Sequence, residues 1–436
     1  MRRSLSIPFV AFCACITAYC FIAKLFEILT LLDYFEEPSV HHDEGCVKTM
    51  LIGASEDQRK FNSNSILMTQ WRVAGYMTGE EKLPGAMYVA SGFQEGAARS
   101  KSAKEFVENN LKIQELPIIN YPEGVNFHPH GIYIRKEDRT LYVINHAYEK
   151  GGERIDVFGI ATADDGDDDI ENDIPNRLDY QYSITSDWMK KEMNGILNAL
   201  VVVEKNKFYV TQYLPIPEGH DGWLSFETYI DLERFKMLVF GKKDTYVWYC
   251  EYNNASTGSS SLDCKKVAGQ FGGANGITHN NDYSKIFVAD HKTITIFDRN
   301  PSSNELEGRR TIVVPNLVDN VIFDDVSGNV YGGTINNLWY TVFVHPFPEE
   351  SEDSTSGLIE LAFNQENKEG SSSTLWEMRE VLSSSKLNAI SNGLRMNKFY
   401  VMGAGGLGYP GLLICPAAEE AEKSNTLDGN TKRSEL

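Results

Sequence analysis

HGIYIRKEDRTLYVINHA, residues 130–147, reads as two short strands rich in apolar, β-branched and aromatic residues around a charged turn, with a polar residue opening the first. The same plan recurs at 198–214 (NALVVVEKNKFYVTQYL), 275–291 (NGITHNNDYSKIFVADH), 319–335 (DNVIFDDVSGNVYGGTI) and 388–404 (NAISNGLRMNKFYVMGA), and more loosely at 83–92 (LPGAMYVASG). Their intervals suit a four-stranded sheet with loop insertions, and repeated antiparallel sheets of that size predict a β-propeller, whose blades hide their faces against one another. Six blades fit the count best, ahead of five or seven. The chain is expected to be all-β.

The innermost strand of each propeller blade lines the central channel, so the residues that open those strands converge. Here they are His130, Asn198, Asn275, Asp319 with Asn320, and Asn388. Any one alone reads as a turn cap before a strand. As a set, amide and carboxylate oxygens aimed at one point are what a hard cation requires. Calcium takes about 6–8 oxygen ligands and tolerates Asn where zinc selects His or Cys. A channel-mouth calcium site is the expectation.

Composition narrows the partners. Asp+Glu 61 against Lys+Arg 41 gives the 436 residues a formal net charge of −20, and no basic stripe offsets it, which argues against nucleic acid. The acidic run at 164–169 (DDGDDD) has no ordered ligand spacing and reads as a solvated loop. No Gly-x-Ser-x-Gly elbow is present, so a serine hydrolase is disfavoured.

Arg2 and Arg3 precede an apolar run at 7–23, IPFVAFCACITAYCFIA, the pattern of a secretory-route signal. No small-residue cleavage site follows cleanly, which favours an uncleaved anchor over a cleaved signal. LFEILTLLDYF (25–35) continues as an interfacial helix with Glu27 and Asp33 on its polar side, so a membrane or lipid surface is an expected partner. Residues 1–45 are thus assigned to a hydrophobic signal or anchor, 46–416 to the propeller and 417–436 to a polar, mobile tail. Cys250 and Cys264 bracket a strand–turn–strand segment suited to a cross-strand disulfide, while Cys46 and Cys415 would close a very long loop; both bridges need an oxidising compartment. Asn254 opens a glycosylation sequon, as luminal exposure would allow.

Taken in order, FHPHGI (127–132), LYVINHAYEKGGERIDVF (141–158), ILNALV (196–201), ANGI (274–277) and LVDNVIFDDVSGNVYGG (317–333) resemble the serum paraoxonase/arylesterase family of calcium-dependent lactonases. The resemblance runs from about Cys46 to Cys415. It implies a six-bladed propeller holding two calcium ions in its tunnel. The catalytic ion would be bound by Asn198, Asn275, Asp319, Asn320 and Glu56 of GASED; Glu80–Glu81 of TGEEKLPG is the alternative to Glu56, because Gln58 to Lys82 intervene before the next strand. The second, structural ion would fall to Asp57 and the backbone carbonyl of Ile132. Two departures stand out. The family's Asn-Asp pair reads Asn198-Ala199, removing one carboxylate from the structural ion, and Thr334-Ile335 stands where the family carries a channel His.

The resemblance further implies a substrate that is a lactone or aryl ester. Its carbonyl is polarised by calcium while His130 acts as general base, oriented by His146; His128 belongs to the channel rim. The competing expectation is a non-enzymatic, calcium-stabilised, membrane-tethered propeller that serves as a binding module.

Overall fold

The structure, a computed structural model, describes residues 7–37, 39–49, 53–70, 85–147, 150–162, 173–189, 193, 195–215, 236, 241–253, 261–339, 341, 354–363, 376–405 and 410–417, with backbone alone for 7–17. Glu80–Glu81, the acidic run at 164–169, the Asn254 sequon and 418–436 lie outside the described residues.

Six sheets are found among the described residues, each numbered outward from a buried first strand. The first strands are Gln58–Lys60, Pro129–Arg135, Ile196–Glu204, Ala274–His279, Leu317–Phe323 and Ile390–Met396. Each touches the first strand of the next blade, and the last returns to the first, so the ring is closed. Burial follows the sequence pattern: Thr140–Ala147 is buried along its whole length, whereas an outer strand such as Leu306–Val313 exposes nearly every residue. The blade faces pack Val, Ile, Leu, Phe and Tyr into clusters shared by adjacent sheets, for example Ile277 and Val288 with Val210 and Phe208.

The ring is latched across its ends. Val47–Thr49 forms the outermost strand of the last blade, antiparallel to Leu412–Pro416, with Val47 opposite Ile414. Cys46 and Cys415 sit one step beyond that pair and are bridged. Cys250 and Cys264 face each other across the hairpin of the third blade and are bridged as well.

One part of the sequence reading is corrected here. Gln58 to Lys82 is not an insertion ahead of the first strand: Gln58–Lys60 is itself the inner strand of the first blade, Ser65–Gln70 is the second, and 86–91 the third.

The apolar leader forms a helix over Ile7–Leu31. Tyr19, Phe21, Ile22, Leu25 and Phe26 are exposed on it. Among the described residues no helix is long and apolar enough to cross a membrane. The chain after the helix is docked onto the blades: Asp33, fully buried, is paired with Lys292, and the Asn337 amide donates to the carbonyls of Asp33 and Glu36.

Candidate metal and catalytic centre

The site is built by breaks in strand pairing. The first strand of five blades loses register with the second at Pro129/Ile132, Leu197/Leu200, Ala274/Ile277, Val318/Val321 and Ile390/Asn392. A bulge leaves residues unpaired and re-aims their side chains. The unpaired positions hold His130, Asn198, Asn275, Asp319 with Asn320, and Ser391. Glycine lets the bulged backbones meet at two places. A Cβ on Gly131 would lie 2.1 Å from the Asn198 carbonyl oxygen, and one on Gly276 would lie 2.5 Å from Asn320 Cα.

These residues come together. Glu56 Oε2 and Asp319 Oδ2 lie 3.0 and 3.3 Å from one point, the place a Cβ on Gly405 would take. Asn320 Nδ2 donates to the Glu56 carbonyl at 3.0 Å, and the Asn275 side chain donates to Asp319. His130 Nε2 lies 3.4 Å from Glu56 Oε1, and His130 Nδ1 lies 3.1 Å from the Asn198 carbonyl. Each Asn is therefore tied to the cluster through one group, while its Oδ1 is buried with no hydrogen-bond partner: Asn198, Asn275 and Asn320 all share this state. Buried unpaired carbonyl oxygens are costly.

Burial drives the carboxylates toward neutrality. Asp319 is pushed up to about 7, by burial first and by the charge of Asp57 second, against the hydrogen bond from Asn275. Among the described residues no group of three or more His, Cys, Asp and Glu is arranged to hold a metal ion. The donors gathered here are amide oxygens for the most part. Three orphaned amide oxygens and two carboxylates are an oxygen-rich set of the kind a hard divalent cation takes.

The Asn198 carbonyl only accepts, so Nδ1 carries the hydrogen in that contact, and Nε2 faces Glu56. Burial, with His146 next, pulls the His130 pKa well below its ordinary value. His146 lies beside it, ring centroids 4.7 Å apart, and is pulled down to about 3 by burial. The described contact of His146 is with Glu153: Nδ1 lies 2.8 Å from Oε2. Glu153 also accepts the Leu197 amide at 2.7 Å, one residue before Asn198.

Asp57, next to Glu56 in the chain, has donors of its own. Oδ1 accepts the Gln58 amide at 2.8 Å and Arg59 Nη1 at 2.6 Å, and Oδ2 accepts the Ile132 amide at 2.8 Å. Ile132 thus meets Asp57 through its N–H. Asp57 is fully buried, which raises it to about 6 against the pull of Arg59 and the two amides.

Two residues of the centre escaped the sequence reading. Asn392 stands in the inner strand of the last blade, its Nδ2 donating to the carbonyls of Ser55 and Glu56 at 2.7 and 2.9 Å and its Oδ1 unpartnered. The Asn-Gly of ISNGL, matching the Asn-Gly of ANGI, was the signal for it. Asn388 has its Oδ1 engaged elsewhere, accepting the Ser354 hydroxyl at 2.7 Å and the Ala389 amide at 2.7 Å. Glu153 is the second; nothing in its spacing marks it.

Among curated proteins, the chain is 26% identical over 238 residues to serum paraoxonase/lactonase 3 of Oryctolagus cuniculus, covering 52% of this chain and 54% of the relative. It is 25% identical over 281 residues to serum paraoxonase/arylesterase 2 of Gallus gallus, covering 60% and 67%. The chain spans about half the length of the first of these relatives. A solved periplasmic gluconolactonase of Pseudomonas aeruginosa aligns with 78% of this chain and 75% of its own at 10% identity and a TM-score of 0.37, a likeness from which nothing is drawn. The family model described as Arylesterase matches residues 74–377. With the greater part of its length matched, the chain belongs to the serum paraoxonase/arylesterase family.

Proposed function

We propose that the chain is a calcium-dependent hydrolase of lactones and aryl esters. The observation that carries this reading is the trio of buried amide oxygens without hydrogen-bond partners on Asn198, Asn275 and Asn320, residues whose other groups bond to His130, Asp319 and Glu56. Those five residues would hold one Ca²⁺. Bound there, the ion would supply a Lewis acid that polarises a substrate carbonyl and balances the negative charge developed as water adds.

The remaining work falls to side chains of the chain itself. His130 Nε2 is the group placed to take the proton of the attacking water, since the Asn198 carbonyl holds the opposite nitrogen in its N–H form. A depressed pKa keeps that nitrogen unprotonated at neutral pH. His146 packs against the base, and Glu153 fixes its orientation. Membership of the family supports a hydrolase, and the lactone and aryl ester preference rests on the relatives' names and on this centre.

Two disulfides fit a route through an oxidising compartment. The exposed aromatic and aliphatic residues of the leading helix fit contact with a lipid surface.

The test is hydrolysis of a lactone and a phenyl ester by the purified chain, with and without a calcium chelator, alongside His130→Gln. Activity should vanish on chelation and return with calcium, and His130→Gln should fall by about 10²–10⁴-fold with calcium binding retained. Calcium binding without turnover of either substrate class would leave the binding-module reading in its place.

A further inference from the structure

We infer that the Arg59 guanidinium stands in this chain where the family places a second, structural calcium, so that the tunnel takes one divalent ion rather than two. The inference rests on the calcium reading above and concerns its stoichiometry.

Three observations meet at Asp57. The carboxylate is fully buried, so it needs a positive partner or a proton. It already has the partner, because Arg59 Nη1 donates to Oδ1 at 2.6 Å from a side chain only 11% exposed. Its other acceptor sites are drawn on as well: the Gln58 amide shares Oδ1, and the Ile132 amide donates to Oδ2. A carboxylate offers about four lone-pair positions, and three are used here by protein donors.

The second cage is also one carboxylate short. Ala199 occupies the position of the family's second carboxylate, and its methyl is fully buried. Ile132, whose carbonyl the resemblance would place on that ion, turns its N–H to Asp57. An N–H aimed at a carboxylate satisfies an anion and repels a cation. Arg59 is also held by a second bond, Nη1 to the Gln58 carbonyl at 3.1 Å, and its charge reaches Tyr133 and His279 further along the tunnel. A divalent ion at Asp57 would therefore sit against a fixed, permanently charged guanidinium with one carboxylate between them.

Metal content measured on the full chain after dialysis against low calcium, together with calcium titration calorimetry, decides the matter. Wild type should hold one calcium per chain, and Arg59→Met combined with Ala199→Asp should hold two. Two ions in the wild type, or no gain in the double variant, would overturn the inference. The count in the wild type tests the underlying site separately: zero ions sinks the calcium reading, whereas a gain of the double variant over Ala199→Asp alone still reports on Arg59. Should the double variant fail to fold, thermal melting of Arg59→Met against calcium concentration takes its place. A larger calcium-induced rise in melting temperature than in wild type supports the inference, and an equal rise refutes it.

Discussion

Asn198 has two oxygens at the centre, its main-chain oxygen on His130 and its amide oxygen buried with no hydrogen-bond partner. Truncation to Ala keeps the first and deletes the second. Asn198→Ala and Asn275→Ala should each weaken calcium binding by at least about tenfold, or ~1.4 kcal/mol, measured by calorimetry. Glu153 offers a different kind of test. Glu153→Ala strands two buried donors, His146 Nδ1–H and the Leu197 amide, and each unmet donor costs about 1–3 kcal/mol; urea unfolding should show the loss. At the far end of the tunnel, His279 donates Nδ1–H to the Asn280 carbonyl and accepts the Tyr133 hydroxyl at Nε2, and burial lowers it to about 4. The unfolded ring binds its proton near pH 6.5 and the folded one resists until about 4. Its contribution is therefore complete above 6.5 and is lost as pH falls through that window, by at most about 3 kcal/mol. His279→Gln should flatten the pH dependence of the melting temperature between those limits.

At the level of strands, the two disulfides differ in what they hold. Cys46–Cys415 spans 369 residues and joins the first strand to the last, whereas Cys250–Cys264 spans 14 within one hairpin. Chain-entropy reasoning gives about 6 kcal/mol for the long bridge and about 3 for the short one. Replacing Cys46 and Cys415 with Ser should thus lower the melting temperature more than replacing Cys250 and Cys264, as calorimetry would record. Much of this level was legible beforehand. Paired Phe/Tyr/Val strands around polar turns marked five blades, and the polar openings of those strands named His130, Asn198, Asn275, Asp319 and Asn320. The bulges that aim them were not legible, because a register shift changes no periodicity in the strand itself. Arg59 was passed over for a related reason: within Gln58-Arg59-Lys60 it looks like the polar edge of a surface turn, and only the three-residue inner strand turns it into the tunnel.

For the molecule as a whole, the ring and its leading helix present opposite faces to solvent. The blades carry the acidic excess, while Phe21, Ile22, Leu25 and Phe26 leave an apolar face uncovered. Changing these four to Ser should abolish flotation with uncharged phosphatidylcholine vesicles while leaving calcium content unaltered. Closure of the ring also dictates a timetable. Because Val47–Thr49 completes the blade that the C-terminal strands begin, the thiol of Cys46 emerges from the ribosome long before its mate exists. At synthesis rates of about 5–20 residues per second, it waits some tens of seconds. Once both have emerged, Cys250 and Cys264 are the nearer oxidation partners of one another, and orderly biogenesis requires the hairpin bond first and the seam last.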